Sequence, residues 1–412
     1  MEGSEYMRDR YNWNPVYNLV MKIKDDYTYN IRDGDKLFGN WIAKLNKKEY
    51  NDIFNYLQLN QDGNILLIRY GLHEMQRGLW KNKDSIFREC RSIVIDLESE
   101  EIILAPFRKF FNLDEVEENN LHNVFMEIQK AKSVEITDKL DGSMQSARYY
   151  NGDVFMAGSM AINKDNSWRL KDGYSMLKGN HRIMLRENKN ITFIFEYISL
   201  KDAHVVSYKK SQQGLYLIGA RDITNGRHFS YKELKEYANK YNVPMTKIEN
   251  KSIDDILVES RKLKSDKKEG WVINIDEHMI KIKCDDYVKL HRILDKVSSI
   301  NVIIENVAED RVDDMLSKIP LSHKERITKI IDIIMKYKEE KTKEVYNYYN
   351  KAPKDTKKNF MVWVDNNCPK ELIGCIKNIY LGRSFNVLKS RCGNYKKLSD
   401  LGLENIIGKF EV

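Results

Sequence analysis

Val134-Glu-Ile-Thr-Asp-Lys139-Leu-Asp-Gly-Ser143 runs a strand-like stretch straight into a Lys-x-Asp-Gly-Ser sequence. An Asp-Gly pair after a strand reads first as a turn, and Lys-x-Asp-Gly alone is a weak signal. Companions strengthen it. Fifty-seven residues beyond Lys139, Phe193-Ile-Phe-Glu196-Tyr-Ile places one carboxylate inside an apolar strand. Such a group is costly to bury unless it is paired or hydrogen-bonded; its plain alternative is an edge-strand Glu facing water. Lys268-Glu269-Gly-Trp-Val-Ile follows, with a carboxylate where a strand starts. Twelve residues after Glu269 comes Ile280-Lys281-Ile-Lys283. A strand period of two puts both lysines on one face, where like charges repel unless a polyanion such as triphosphate lies between them.

The surrounding text is α+β. From Asn64 to about Lys289, short apolar or alternating runs recur: Ile65–Ile68, Ser92–Ile95, Val134–Ile136, Phe193–Phe195, Leu215–Ile218, Val272–Ile275 and Met279–Ile282. Asn151-Gly-Asp and Asn225-Gly-Arg separate some of them as turns, and helices are expected at Tyr231–Tyr241 and Ile253–Leu263. A helical stretch is also expected near Asn40–Leu57. Beyond Val297 the pattern becomes helical: Ser322-His-Lys-Glu325 reads as a capping box opening a long helix, and Pro369 fits the first turn of another that stops at Gly382. These shifts divide the chain into residues 1–295 and an all-helical part, 296–412.

At 412 residues and 48.7 kDa two domains are the default. No apolar run approaches the ~20 residues of a membrane span, so no membrane partner is expected. No secretory signal is legible at Met1–Tyr6. Five scattered cysteines without a Cys-x-x-Cys pair argue against a disulfide framework and a structural zinc site, and suit a cytoplasmic location. The net charge of +8 is local: Lys351–Lys397 holds 11 basic and 3 acidic residues, and the remaining residues balance. That stretch suits a polyanion; its bland alternative is a solvated lysine-rich face.

No Walker A loop, G-x-G-x-x-G, H-E-x-x-H or G-x-S-x-G occurs. The set K-x-D-G-S, F-E-Y, E-G-W-V and K-I-K, in this order, resembles the nucleotidyltransferase motifs of ATP-dependent ligases and mRNA-capping enzymes. Arg88-Glu-Cys-Arg91-Ser-Ile-Val-Ile-Asp, Arg108-Lys109-Phe-Phe111-Asn-Leu and Lys283-Cys-Asp-Asp-Tyr287-Val-Lys-Leu-His291 narrow the resemblance to the phage T4 RNA ligase 1 family. It is continuous from about Ile65 to His291; Leu372–Gly382 is similar to a helix of that family's C-terminal domain. Ser92 stands where the family has Gly, Asp286 where it has Trp, and no Lys occurs in Met156–Met160 where the family has a basic residue.

The resemblance implies a nucleotidyltransferase domain, the ATP-grasp-like ligase adenylation fold of antiparallel sheets with flanking helices, followed by a small all-α domain. It implies an ATP-dependent RNA ligase, active with Mg²⁺ or Mn²⁺, that joins 3′-hydroxyl and 5′-phosphate RNA ends, such as those of cleaved tRNA. Lys139 would be the nucleophile. Tyr70, Arg91, Lys109, Phe111, Asp141, Gly142, Glu196, Glu269, Lys281 and Lys283 would contact the nucleotide. Glu269, Glu309 and Asp310 are the candidates for metal. A monomer is expected, in a host cytoplasm if the source is a phage. The alternatives are a capping-type guanylyltransferase, which usually carries an OB-fold after the last motif, and a non-catalytic RNA-binding protein, which needs none of the lysine and carboxylate set.

Overall fold

The computed structural model describes residues 8–28, 56–71, 79, 82–202, 204–264, 266–289, 299–317, 319, 321–390 and 393–407. They form two compact units, Met1–Tyr287 and Val288–Val412. The expected boundary at 295/296 and His291 lie outside the described residues, as does most of the stretch Asn40–Leu57. Leu57 itself opens a strand, so the end of that expected helix is corrected.

The first unit is built on three four-stranded sheets. Strands β1 (Leu57–Asp62), β2 (Ile65–Tyr70), β3 (Arg91–Asp96) and β4 (Glu101–Leu104) form an antiparallel meander in that order. Helix α1 (Pro15–Thr28) contributes Val16, Tyr17, Val20 and Ile23 to one core with Leu66, Ile68, Ile93 and Ile95. The register explains this: in β2 and β3 alternate residues face α1, the period-two pattern legible in both runs.

A second sheet has the order β10-β9-β7-β8, from β7 (Ser143–Tyr150), β8 (Asp153–Ala157), β9 (Ile191–Ile198) and β10 (Gly214–Asp222). Asn151 and Gly152 both take positive φ (47° and 86°), which a two-residue hairpin between β7 and β8 requires. Helices α3 (Trp168–Met176), α4 (Gly179–Glu187) and α5 (Tyr231–Tyr241) add Leu170, Leu185 and Leu234 to its core. Ser230 with Glu233 forms a capping box at α5, and Ser252 with Asp255 another at α6 (Ile253–Lys262).

The third sheet runs β5-β12-β11-β6, from β5 (Phe111–Asn112), β6 (Val134–Lys139), β11 (Gly270–Ile275) and β12 (His278–Lys283), with α2 (Leu121–Ile128) between β5 and β6 in the chain. All its pairs are antiparallel except the two-residue parallel match of β5 with β12.

The second unit contains α7 (Ile300–Ala308), α8 (Val312–Ser317), α9 (Leu321–Lys351), α10 (Lys357–Asn367) and α11 (Ile373–Tyr380) around Ile304, Ile334, Val345, Phe360, Val364 and Ile376. Helix α9 already begins at Leu321, so Ser322 falls in its first turn and not at its cap. Pro369 precedes α11 by four residues, and Gly382, at φ 67°, ends it as expected. Phe360 is fully buried and stacks on Tyr380 at 4.2 Å, while Trp363, Phe385 and Tyr395 pack against the same core. These aromatics of the basic stretch hold the unit together; they are not a row of exposed stacking surfaces.

Candidate active site

One face of the third sheet carries the chemistry. Register places Lys139, Gly270 and Lys283 side by side in a first row, Thr137, Val272 and Lys281 in a second, and Glu135, Asn274 and Met279 in a third. These rows line a cavity of ≈ 180 Å³, closed by Arg91, Phe110, Glu196 and His228. Strand periodicity puts Lys281 and Lys283 on one face, and the register of β6 and β12 against β11 brings Lys139 to the same face.

Glu269 sits behind the first row, 3% exposed. Its two oxygens hold Lys139 Nζ at 2.6 Å and Lys283 Nζ at 2.9 Å. Burial works against the Lys139 ammonium, but Glu269 and then Glu196 outweigh it and push its pKa above the ordinary lysine value. Glu269 itself is held low: burial opposes its charge, and Lys139 and Lys283 overcome that. Lys281 behaves oppositely, pushed well below its ordinary value by burial and by Arg91, Lys109 and its neighbouring lysines. Lys139 differs from Lys281 in having the buried Glu269 carboxylate directly against its ammonium.

Glu196 points from β9 beside the Lys139–Ser143 turn and accepts from Gly142 N at 3.0 Å. A Cβ on Gly142 would lie 2.4 Å from Tyr197 O, so only glycine fits this approach. Burial pushes Glu196 up to about 7; Lys139 counters and Glu269 adds to the rise. Such a carboxylate suits sugar hydroxyls or a cation. Asp141 is 3% exposed and serves the scaffold, accepting from Val205 N (2.9 Å), Val206 N (2.8 Å) and Tyr287 Oη (2.8 Å).

Other expected contacts fall elsewhere. Phe111 is 2% exposed and does not line this cavity; Phe110 does, with Lys281 Nζ 4.4 Å and the Arg91 guanidinium 4.7 Å from its ring centre. Phe111 pairs with Ile280 on β12, whose side chain faces away from Lys281, and so it turns from the cavity. Lys109 lies 4.8 Å from the Tyr70 ring and lines a separate recess with Phe111. Tyr70 faces a second cavity, where Arg91, Lys109 and Arg69 outweigh burial and lower its pKa. Ser92 adopts φ 66°, the conformation for which Gly is suited, and donates to Ser159 O at 2.7 Å.

Glu309 and Asp310 belong to the second unit. Glu309 binds Lys389 at 2.8 Å and accepts from Tyr395, and Asp310 binds Lys338 at 2.7 Å. A metal there would have to displace those ammonium groups. Among the described residues no three His, Cys, Asp or Glu converge as a metal cluster. Glu269 is engaged by two lysines in the same way, so a magnesium-like ion, which keeps most of its waters, would meet it through a bound water.

Sequence reading missed Phe110, Asn274 and the group around Asp202. Asp202 accepts from Ser143 Oγ (2.7 Å) and Arg169 Nε (2.8 Å), with His204 Nε2 at 3.3 Å. That group comes from a loop and a helix start, where no period marks a functional side chain.

The family model described as RNA ligase, of the T4 RNA ligase 1 type, matches residues 89–287. A Thermovibrio ammonificans protein named "Putative RNA ligase" is 25% identical over 289 residues, covering 66% of this chain and 72% of that one. A Naegleria gruberi RNA ligase mutant with ATP and Mn is similar at 19% identity and a TM-score of 0.32, over 42% of this chain and 56% of that one. The same ligase with PPi gives 19% and 0.33, over 41% and 55%. This chain therefore spans little more than half the length of those solved ligases. The segment that the RNA ligase family model matches, residues 89–287, holds Lys139, Glu196, Glu269, Lys281 and Lys283.

Proposed function

We propose that the chain is an ATP-dependent RNA ligase that seals a 3′-hydroxyl to a 5′-phosphate through a lysyl–AMP intermediate. The observation that carries this reading is Lys139, 2.6 Å from Glu269, in the same cavity as Lys281, Lys283 and Glu196. Lys281, Lys283 and Arg91 attract the triphosphate, and Glu196 suits the ribose hydroxyls. The Lys139 amine, its proton passed to a nearby acceptor, attacks the α-phosphate; a P–N bond forms and pyrophosphate leaves. The RNA 5′-phosphate then takes the AMP, and the 3′-hydroxyl displaces AMP to make the phosphodiester. A divalent cation would supply charge neutralisation for the phosphates, with Glu269 the candidate for holding one of its waters.

RNA with 5′-phosphate and 3′-hydroxyl ends, cleaved tRNA in particular, is the proposed substrate, and a monomer in the cytoplasm the proposed form. The basic surplus of residues 351–397 supports an RNA-binding role for the second unit. Cys90, Cys284, Cys368 and Cys375 are free thiols, in keeping with a reducing compartment. Among the described residues no helix is long and apolar enough to cross a membrane. The test is labelling with α-labelled ATP and Mg²⁺: the wild type should retain covalent AMP and Lys139→Ala none. Label surviving on the alanine variant would remove Lys139 as the nucleophile.

A further inference from the structure

A second cavity, of ≈ 640 Å³, lies against the first and shares Arg91 and Met144 with it. Its walls come from the ends of β1 and β2, the start of β3, residues Ser143–Gln145 of β7, the segment 158–163 and the start of α3.

Three guanidinium groups line it: Arg69, Arg91 and Arg169. Arg69 and Arg91 are direct cross-strand partners on β2 and β3. Like charges so placed repel unless something neutralises them. Among the described residues no carboxylate pairs with either. Arg69 packs on the Tyr70 ring at 5.6 Å, and Arg91 on Phe110 at 4.7 Å with one hydrogen bond to Arg108 O. Arg169 is fixed through Nε by Asp202, and its terminal nitrogens make no hydrogen bond among the described residues. The one acidic residue of the lining, Asp62, is occupied by Asn163 Nδ2 at 2.8 Å. The rest of the rim is largely neutral and polar, including Asn60, Ser143, Asn166 and Ser167.

Arg69 and Arg91, without a carboxylate partner among the described residues, call for an anion, and planar guanidinium groups match phosphate bidentately. Amide and hydroxyl side chains between them match sugar hydroxyls. ATP already has Lys281, Lys283 and Arg91 in the first cavity. We propose that the second cavity binds the 5′-phosphorylated end of the RNA strand, holding its ribose-phosphate backbone so that the terminal phosphate reaches the AMP on Lys139. This rests on the ligase reading. In the step it serves, a 5′-phosphate oxygen attacks the α-phosphorus of lysyl–AMP. A P–O bond forms, the P–N bond breaks, and Lys139 departs as the amine, taking up a proton.

Pyrophosphate offers the same phosphate chemistry, so the two sources are separated by step. Full-length Arg69→Ala and Asn166→Asp are labelled with ATP, freed of ATP, and chased with 5′-phosphorylated RNA. Asn166 is exposed, and its aspartate variant adds a repelling charge without emptying the core. Lysyl–AMP should form within about twofold of wild type, while transfer to RNA at low concentration falls about 10- to 100-fold, the weight of a charge-assisted hydrogen bond. Arg69→Lys should recover part of the loss. Unchanged transfer in both variants overturns the proposal. So does an equal fall in lysyl–AMP formation and transfer, which would assign the cavity to pyrophosphate. A wild-type chain that takes no label overturns the ligase reading itself, and this one with it.

Discussion

Lys139 Nζ lies 2.6 Å from one oxygen of Glu269, whose other oxygen holds Lys283 Nζ at 2.9 Å. A single buried carboxylate thus ties Lys139, the proposed nucleophile, to Lys283, a proposed phosphate contact, across strand β11. In Glu269→Gln both ammonium groups lose their counter-charge inside the protein. Breaking a buried pair from one side typically costs about 3–5 kcal/mol, part of which the Gln amide recovers by hydrogen bonding. The expected outcome is a lower melting temperature together with a loss of lysyl–AMP formation of about 100-fold or more. Single-turnover labelling beside thermal unfolding checks both, and full labelling would exclude Glu269 from the reaction.

Gly270 occupies the centre of the first row at φ 154°, and a Cβ there would stand 2.0 Å from Ile282 O and 2.8 Å from Lys283 Cα. Both atoms belong to backbone, so relief requires the β11–β12 pair to separate. Gly270→Ala should cost roughly 2–4 kcal/mol of stability and displace Lys283 from Glu269. Denaturant unfolding measures the first. A raised KM for ATP in whatever folded protein remains measures the second.

Phe110 and Phe111 should separate cleanly. Phe110→Ala removes an aromatic wall of the proposed nucleotide cavity and should raise KM for ATP, leaving the fold near wild type. Phe111→Ala opens a hole behind the sheet, where Phe111 is 2% exposed, and should destabilise by about 3–5 kcal/mol. Equal effects of the two on KM would contradict the facing seen here.

Much of this site was legible because strand periodicity is short-range physics. Lys281 and Lys283 share a face from spacing alone, and the runs named from the sequence all fall within strands. What was not legible depends on partners distant in the chain. Phe110 and Phe111 are indistinguishable as Lys-Phe-Phe until β5 pairs with β12 and Ile280 fixes which ring turns inward. That Lys139 rests as an ammonium follows from Glu269, brought alongside by the β6–β11 pairing. Ser322 misled because a capping box is a local pattern, whereas α9 starts one residue earlier. Asp202 and His204 sit in irregular backbone, where no period exists to read.

The basic surplus makes a separable prediction. The second unit has its own core, and the motif residues Lys139, Glu196, Glu269, Lys281 and Lys283 all lie in the first. Deleting residues 300–412 should therefore spare lysyl–AMP formation while weakening the sealing of RNA, most visibly at higher salt. Equal loss of both activities would show that the helical unit acts chiefly as structural support.

His204 gives the fold a pH signature. Burial lowers its pKa, but Asp202, Asp141 and Glu196 outweigh this and raise it above the ordinary histidine value. The folded state thus binds the proton more tightly than the unfolded chain. Its stabilisation is complete below the unfolded value of about 6.5 and is lost as pH rises through the higher folded value. Asp202 has the opposite sign: burial raises its pKa, but His204, Ser143 and Arg169 together depress it. Its contribution is present above about pH 3.9 and disappears only as pH falls through the lower folded value. Of this pair only the histidine should therefore change between pH 6 and 9; Glu196, pushed up to about 7, titrates there too, but in the wild type and in a His204 variant alike, so their comparison isolates the histidine. The melting temperature of the wild type should fall about 2–4 °C more over that range than that of His204→Gln, which keeps a donor but cannot charge. Parallel curves for the two proteins would show that His204 is neutral throughout, and that Ser143 and Arg169 hold Asp202 without it.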